Sequence, residues 1–353
     1  MDNRVDKIRN MLQNKAIDGV LICKPINIRY ISGFTGSVGY IIITQNEAKL
    51  FVDFRYVEQA QKQCRNLDII EYKELNCITT LIQNLKIGSL GIEEDFVNYK
   101  YVTSLKNKLE KIQLVELNGA LTMMRAIKDE KEIELIKKSA QLCNDGFNYI
   151  LDFIKPGVSE VDIAIELEFY MRKRGASGPS FDFIVASGQR SSLPHGVASK
   201  KIIEDGDLLT IDFGCIVEGY CSDMTRTVAV GKVEDKQEEI YSIVLAAQNK
   251  ALKSVRPGIT GKELDGIARN FIDESGFGAN FGHGLGHGVG LEIHELPTLN
   301  WRGEIAMEPG MVITIEPGIY IPNSFGVRIE DLVVVTQGGY KVLTNVTKEL
   351  IKI

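Results

Sequence analysis

The 353-residue sequence has no apolar run approaching the roughly 20 residues that cross a bilayer. Its N-terminal stretch, MDNRVDKIRNMLQNKAIDG, reads as an amphipathic helix without the apolar segment or small-residue cleavage site of a signal peptide. No C-x-x-C pair occurs, and the six scattered cysteines (23, 64, 77, 143, 215, 221) read as reduced thiols filling small core positions. These absences together predict a cytoplasmic protein with no membrane partner. Neither charge sign forms a block, and a net charge of −6 leaves no basic footprint for nucleic acid. There is no G-x-G-x-x-G fingerprint, no Walker P-loop and no H-E-x-x-H helix. Nucleotide binding and single-zinc proteolysis therefore have no motif support.

What is present is ordinary in bulk. Hydrophobic residues make up 44% and charged residues 25%, enough for a normal core, and the length suits two domains. Residues 1 to about 118 alternate short helices and strands. Strands are expected at Gly19–Cys23, Tyr40–Thr44, Leu50–Asp53, Asp68–Glu71, Leu90–Ile92 and Ile112–Glu116. Helices are expected near the N-terminus and at Tyr56–Cys64, Ile78–Leu85 and Tyr99–Leu109. This alternation predicts an α/β domain over 1–120. The stretch Leu117–Lys128, with Asn118-Gly119, is the boundary candidate, and 121–353 forms the second domain.

That second domain opens on a long helix, Asp129 to Phe153, whose apolar face is Ile133, Ile136, Ala140, Cys143, Phe147 and Ile150. A faint repeat follows. Lys155-Pro156-Gly157-Val158-Ser159 is echoed 101 residues later by Arg256-Pro257-Gly258-Ile259-Thr260. Ser159 with Asp162, and Thr260 with Glu263, have the spacing of capping boxes, and Gly175 and Gly276 can end the two helices. Two similar halves packed on a shared sheet would place a site between them.

Three features carry chemistry. The segment Asp207–Val230 reads as a hairpin turning at Glu218-Gly219, which sets Asp212 nearly opposite Asp223. Two adjacent carboxylates in apolar sequence repel, so a proton, a base or a cation must offset the repulsion. Such a pair alone is weak evidence, because one exposed Asp and one turn Asp would look the same. Next, three of only four histidines fall in FGHGLGHGVGLEIHELP: His283, His287 and His294. Strand alternation would point His283 and His287 to one side, and packing alone does not explain three histidines among glycines. His195, in Leu193-Pro194-His195-Gly196, is uninformative by itself. Last, Glu316 ends the apolar strand VITIE and Glu330 opens another, with Arg328 on the face of Glu330. A surface pair is the bland account of Arg328 and Glu330. Two Asp, two Glu and one of the histidines are a ligand set for two hard divalent cations, with Mn²⁺ favoured and Co²⁺, Fe²⁺ or Zn²⁺ compatible.

The blocks LPHG, TIDFGCIVEGYCSDMTRT, GHGLGHGVGLEIHELP, ITIEPGIY and GVRIEDLVVV, in this order, resemble the aminopeptidase P/prolidase group of metallopeptidases. The resemblance extends over essentially the whole chain, including NIRYISGFTGSVGYIIIT and LFVDFRYVEQA; Phe54 stands where that group often has glycine. It implies an α/β N-terminal domain followed by an α+β "pita-bread" catalytic domain with pseudo-two-fold symmetry. It implies metal ligation by Asp212, Asp223, His287, Glu316 and Glu330, and substrate or catalytic roles for His195, His283, His294 and Arg328, with Glu316 as general base. It further implies a peptide substrate with proline in second position and a homodimer. Methionine aminopeptidases typically lack counterparts of His283 and Arg328. A creatinase-like amidinohydrolase or a binding module on this fold would not need all five ligands. The resemblance favours an Xaa-Pro aminopeptidase over a strict Xaa-Pro dipeptidase.

Overall fold

In the first 124 residues, six strands form one mixed sheet: β1 (Gly19–Ile22), β2 (Tyr40–Thr44), β3 (Ala48–Val52), β4 (Asp68–Glu71), β5 (Ser89–Ile92) and β6 (Gln113–Glu116), in the order β4-β3-β2-β1-β5-β6. The structure is a computed structural model that describes residues 4–74 and 76–353, without the side chains of Asn76 and Cys77. The helices of this unit are α1 (Arg4–Lys15), α2 (Pro25–Ser32), α3 (Val57–Gln63), α4 (Asn76–Asn84), α5 (Tyr99–Lys108) and α6 (Ala120–Ala126). Central strands are apolar throughout because both faces are covered; β1 is buried at every position. Leu21, Ile42 and Phe51 share a core cluster with Ile78 and Ile82 of α4 and Leu105 of α5. Every expected strand and helix of this unit is present with ends shifted by a residue or two. Helices α2 and α6 are additions, α6 falling within the stretch expected to be the boundary; α2 shows why. Its run of isoleucines has weak helical preference, but Pro25 opens it and Gly33, at φ 76°, closes it. Glu93 accepts hydrogen bonds from the Cys23 and Lys24 backbone amides (2.6 and 2.8 Å) at its start. That carboxylate lies about seventy residues away, beyond any local pattern.

The chain divides into two compact units after Met124, inside α6. The second unit has four long helices, α7 (Glu130–Leu151), α8 (Glu160–Lys173), α9 (Asp235–Ser254) and α10 (Gly261–Glu274). The capping boxes at Ser159/Asp162 and Thr260/Glu263 form as their spacing predicts, and Asp129/Glu132 makes another at the start of α7. Ile136, Ala140, Cys143, Phe147 and Ile150 of α7 are buried, while Ile133 is only partly so.

The strands of the first half are β7 (Gly178–Pro179), β8 (Ile184–Ser187), β9 (Leu208–Phe213), β10 (Cys215–Val217), β11 (Tyr220–Cys221) and β12 (Met224–Ala229). Those of the second are β13 (Gly286–Gly288), β14 (Glu295–Leu299), β15 (Val312–Ile315), β16 (Gly318–Ile321), β17 (Phe325–Arg328), β18 (Asp331–Thr336) and β19 (Gly339–Val342). The order β8-β9-β12 in one sheet matches β13-β15-β18 in the other. With α7–α8 answering to α9–α10, the faint repeat is a repeat of structure. Hydrogen bonds join the halves: the Glu330 amide donates to the Thr225 carbonyl (3.1 Å), and the Thr227 hydroxyl accepts from the Arg328 amide (3.2 Å) and donates to its carbonyl (2.9 Å).

The 207–230 hairpin is broken. Glu218 (φ 48°) and Gly219 (φ 88°) turn the chain as expected, but Gly214 lies so close to Ser222 that a Cβ there would sit 1.9 Å from the Ser222 carbonyl oxygen. The ladder is interrupted at that contact. The register is the same on both sides of it, so Asp212 pairs with Thr225, and Asp223 sits in the two-residue gap before β12. The five cysteines whose side chains are described are free, four of them buried; Cys77 lies outside the described side chains.

Candidate functional site

Within the matched strands β8-β9-β12 and β13-β15-β18, each half contributes one acid from the end of the middle strand and one from the residue preceding the third. Asp212 lies on β9 and Asp223 just before β12; Glu316 follows β15 and Glu330 precedes β18. Glu330 thus falls in a gap between β17 and β18 and does not open a strand. Carboxylate oxygens of Asp212, Asp223 and Glu330 all lie within 4.8 Å of one another, and all three residues are buried. His287 closes the group: its Nε2 is 3.6 Å from Asp223 Oδ2 and 3.4 Å from Glu316 Oε1. The five residues singled out from sequence therefore share one buried spot.

The electrostatics of that spot call for a cation. Burial pushes the Asp223 carboxyl well above its ordinary pKa, and repulsion from Glu330, Asp212 and Glu316 adds to the rise. Glu330 is raised for the same reasons. Glu316 is lifted to about 8, mainly by burial, against the pull of Arg328. Asp212 Oδ1, Asp223 Oδ1 and Glu330 Oε1 are buried without a hydrogen-bond partner, which proteins rarely tolerate. Three further oxygens each accept one hydrogen bond: Thr225 donates to Glu330 (2.7 Å), Thr314 to Glu316 (3.0 Å) and Arg328 to Asp212 (2.7 Å). His287 is oriented similarly. Its Nδ1 lies 3.0 Å from the Gly288 carbonyl, which only an N–H can satisfy, so the lone pair is on Nε2, facing Asp223 and Glu316. Burial lowers its pKa to about 4, so the ring is neutral near pH 7. Orphaned oxygens, tethered partners and a neutral imidazole fit a divalent metal site.

The remaining histidines take separate places. His283 precedes β13 and does not share a strand with His287. Its ring packs edge-on to Phe281, its Nδ1 meets the Gly284 carbonyl (2.8 Å), and its Nε2 accepts from the Tyr320 hydroxyl (2.9 Å). Burial lowers its pKa to about 4, with Arg328 adding to the effect. His294 is exposed on the irregular loop before β14, its ring centroid 4.4 Å from that of His287. Partial burial, His195 in second place, lowers its pKa. His195 is exposed on the loop after β8, close enough to influence both His283 and His294. Arg328 is not a surface residue: it is buried, and besides Asp212 it donates to the Tyr320 hydroxyl (2.8 Å) and the Pro194 carbonyl (3.3 Å).

Tyr320, Thr225 and Thr314 were not singled out from sequence. Tyr320 is fully enclosed, burial raises its pKa to about 12, and it links His283 to Arg328. Its signal was position: in ITIEPGIY it is four residues beyond Glu316.

A second kind of contact fixes the loops. Glu160, at the first position of α8 and wholly buried, accepts hydrogen bonds from Ser187 (amide 2.7 Å, hydroxyl 2.9 Å), Ser199 (amide 3.1 Å, hydroxyl 2.7 Å) and Arg190. Residues 187 and 199 are the two ends of the loop that bears His195. One carboxylate therefore ties that loop at both ends and, through Arg190, near its middle.

Comparison with known proteins agrees with this architecture. The pattern described as "Metallopeptidase family M24" matches residues 134–337, and that of the "Creatinase/Prolidase N-terminal domain" matches residues 4–127. The chain is 45% identical over 352 residues to a protein of Pyrococcus horikoshii named Xaa-Pro dipeptidase, with 99% of each chain covered. Among solved structures, an Xaa-Pro dipeptidase from Bacillus anthracis superposes with a TM-score of 0.97 at 45% identity, covering 99% of both chains. An X-Pro aminopeptidase from Thermotoga maritima gives 0.92 at 39% identity, again covering 99% of both.

Proposed function

The chain belongs to metallopeptidase family M24, with a creatinase/prolidase N-terminal domain, and on that premise we propose that it hydrolyses the peptide bond preceding proline, with Xaa-Pro dipeptides as preferred substrates. The observation that carries this reading is the convergence of Asp212, Asp223, His287, Glu316 and Glu330 on one buried spot whose free oxygens have no hydrogen-bond partner. These five residues would hold two divalent ions, with Mn²⁺ the best match to an oxygen-rich set with one imidazole. When bound, such ions supply Lewis-acid activation of water and of the scissile carbonyl.

The protein's own groups do the rest. Glu316 accepts the proton of the attacking water. His294 donates a hydrogen bond to the oxygen that gains negative charge, where a preorganised donor lowers the barrier most. His195 and His283 line the side that receives proline and steady the departing nitrogen. Arg328 holds Asp212 and Tyr320 through its rigid fork of donors. An Xaa-Pro amide has no N–H, so the pocket reads shape and not a donor. Preference for dipeptides is supported by the Xaa-Pro dipeptidases that match this chain end to end; the likeness to an X-Pro aminopeptidase keeps longer peptides as the second reading. The proposal includes a cytoplasmic homodimer with a functional boundary near residue 120.

The test is a peptide panel on metal-loaded protein. Ala-Pro and Met-Pro are expected to be cleaved faster than Ala-Pro-Ala, and Ala-Ala hardly at all. Chelation should abolish the activity and Mn²⁺ restore it. Faster cleavage of the tripeptide selects the aminopeptidase reading, and chelator-resistant hydrolysis refutes the metal role.

A further inference from the structure

His294 poses a problem of precision. It sits on an irregular, exposed stretch, yet its ring lies edge-on to His287. Nothing in regular secondary structure fixes residues 290–294. The flanking acids do. Glu292 is paired with Arg125, and Glu295 meets Arg125 Nε at 3.2 Å and Lys128 Nζ at 3.3 Å. The side chains of Arg125, Lys128 and Glu295 are only 1–2% exposed. Glu295 also turns back onto its own loop, accepting the Glu292 amide at 3.1 Å. It lies so close to Gly290 that a Cβ there would be 2.5 Å from Glu295 Oε2. Both cations come from one short segment at the start of the C-terminal unit, and that segment is fastened in turn: the Lys128 amide donates to the Gly310 carbonyl at 3.0 Å.

Burial makes this cluster expensive. The Lys128 ammonium is disfavoured by desolvation, with Glu295 opposing that effect. A buried ion cluster is weak evidence for stability, because apolar side chains of similar size often stabilise as well or better. What charged groups can add is a single geometry, since each acid is acceptable only where its cation reaches it. The acids at 292 and 295 bracket residue 294.

We propose that Arg125 and Lys128, acting through Glu292 and Glu295, are positioning residues that fix the 290–295 loop and so hold the His294 imidazole at the site. The task assigned to His294 rests on the Xaa-Pro peptidase reading; its placement by the clamp does not.

Two variants separate placement from stability. Lys128→Met leaves Glu295 short of a cation. The paired Lys128→Met/Glu295→Gln variant removes both charges and is expected to unfold at a temperature close to the parent's. Both should lower kcat on Ala-Pro by about 10- to 100-fold, the scale of a small misplacement of a catalytic group, with metal content unchanged. In a His294→Ala background, Lys128→Met should have almost no further effect on kcat, because the two act through one group. With only four histidines, the ring signals of the zinc-loaded protein can be followed by NMR without any assay. The His294 signals should split or broaden in both variants, and those of His283 should not. The clamp is overturned if kcat recovers together with thermal stability in the paired variant, if the effects of Lys128→Met and His294→Ala multiply, or if the His294 signals stay unchanged. A parent that does not cleave Ala-Pro, but whose His294 signals respond as described, refutes the peptidase reading alone.

Discussion

In the first half of the C-terminal unit, the loop bearing His195 hangs from one anion: Glu160 takes five hydrogen bonds, four from serines and one from Arg190. In the second half, the loop bearing His294 carries its own two acids and is gripped by two cations from outside the repeat. The halves are otherwise alike in helix pairs, in strand order and in the positions of their acids. Their loops differ where the tasks proposed for His195 and His294 differ. The loop proposed to line the pocket hangs chiefly from neutral donors, with Arg190 the one cation among them. A loop that must deliver a hydrogen bond to a reacting atom needs a stiffer hold, and opposed charges in a dry setting provide it at a cost in desolvation.

The largest test of this comparison is on what the halves share. Asp223→Ala removes an acid from the first half and Glu330→Ala one from the second. If the five residues act as one ligand set, as proposed, either change should strip bound metal and lower kcat/KM by several orders of magnitude, read by elemental analysis beside kinetics. If one variant keeps both full metal content and full rate, the pairing of the halves is broken at that residue. The next test is on the loops. His294→Ala should lower kcat by about 10²–10³-fold, as loss of one oxyanion donor does. His195→Ala should act mainly on KM. Equal losses of kcat from both would erase the functional difference drawn between the halves. The smallest effect is expected from Glu160→Gln, which turns one accepting oxygen into a donor facing other donors. Stability should fall by about 1–3 kcal/mol, the cost of leaving buried polar groups unsatisfied, and KM should rise with kcat nearly kept. Denaturant unfolding and steady-state kinetics measure the two, and a variant as stable as the parent would mean that Glu160 does not tie the loop.

Local rules carried the reading far in some places and stopped in others for physical reasons. The α7 stripe, the capping boxes and the turn at Glu218-Gly219 follow from spacings of three and four residues or from a positive φ, and all are found. The four acids and the histidines were legible because ionisable groups are out of place in apolar sequence. The interruption at Gly214 was not, since the close approach to Ser222 that requires it depends on how the strands fold back. Asp212 faces Thr225, the partner that a turn centred on Glu218-Gly219 gives by counting along both strands, and Asp223 lies two residues before it. Helix α2 was hidden because the group at its start, Glu93, is remote in the chain. Lys128 and Glu295 could not be matched from sequence, because two charges at ordinary surface spacing give no sign that they meet in the interior.

The backbone and hydroxyl bonds among Thr225, Thr227, Arg328 and Glu330 have a bearing on traffic through the enzyme. A hinge between the two sheets would have to tear them apart right beside the acids, stranding carbonyls and amides in a dry interior. Opening is easiest where the chain is irregular and already wet. On the proposed function, peptides would come and go past the exposed His195 and His294 loops, while the floor on which the acids stand stays put.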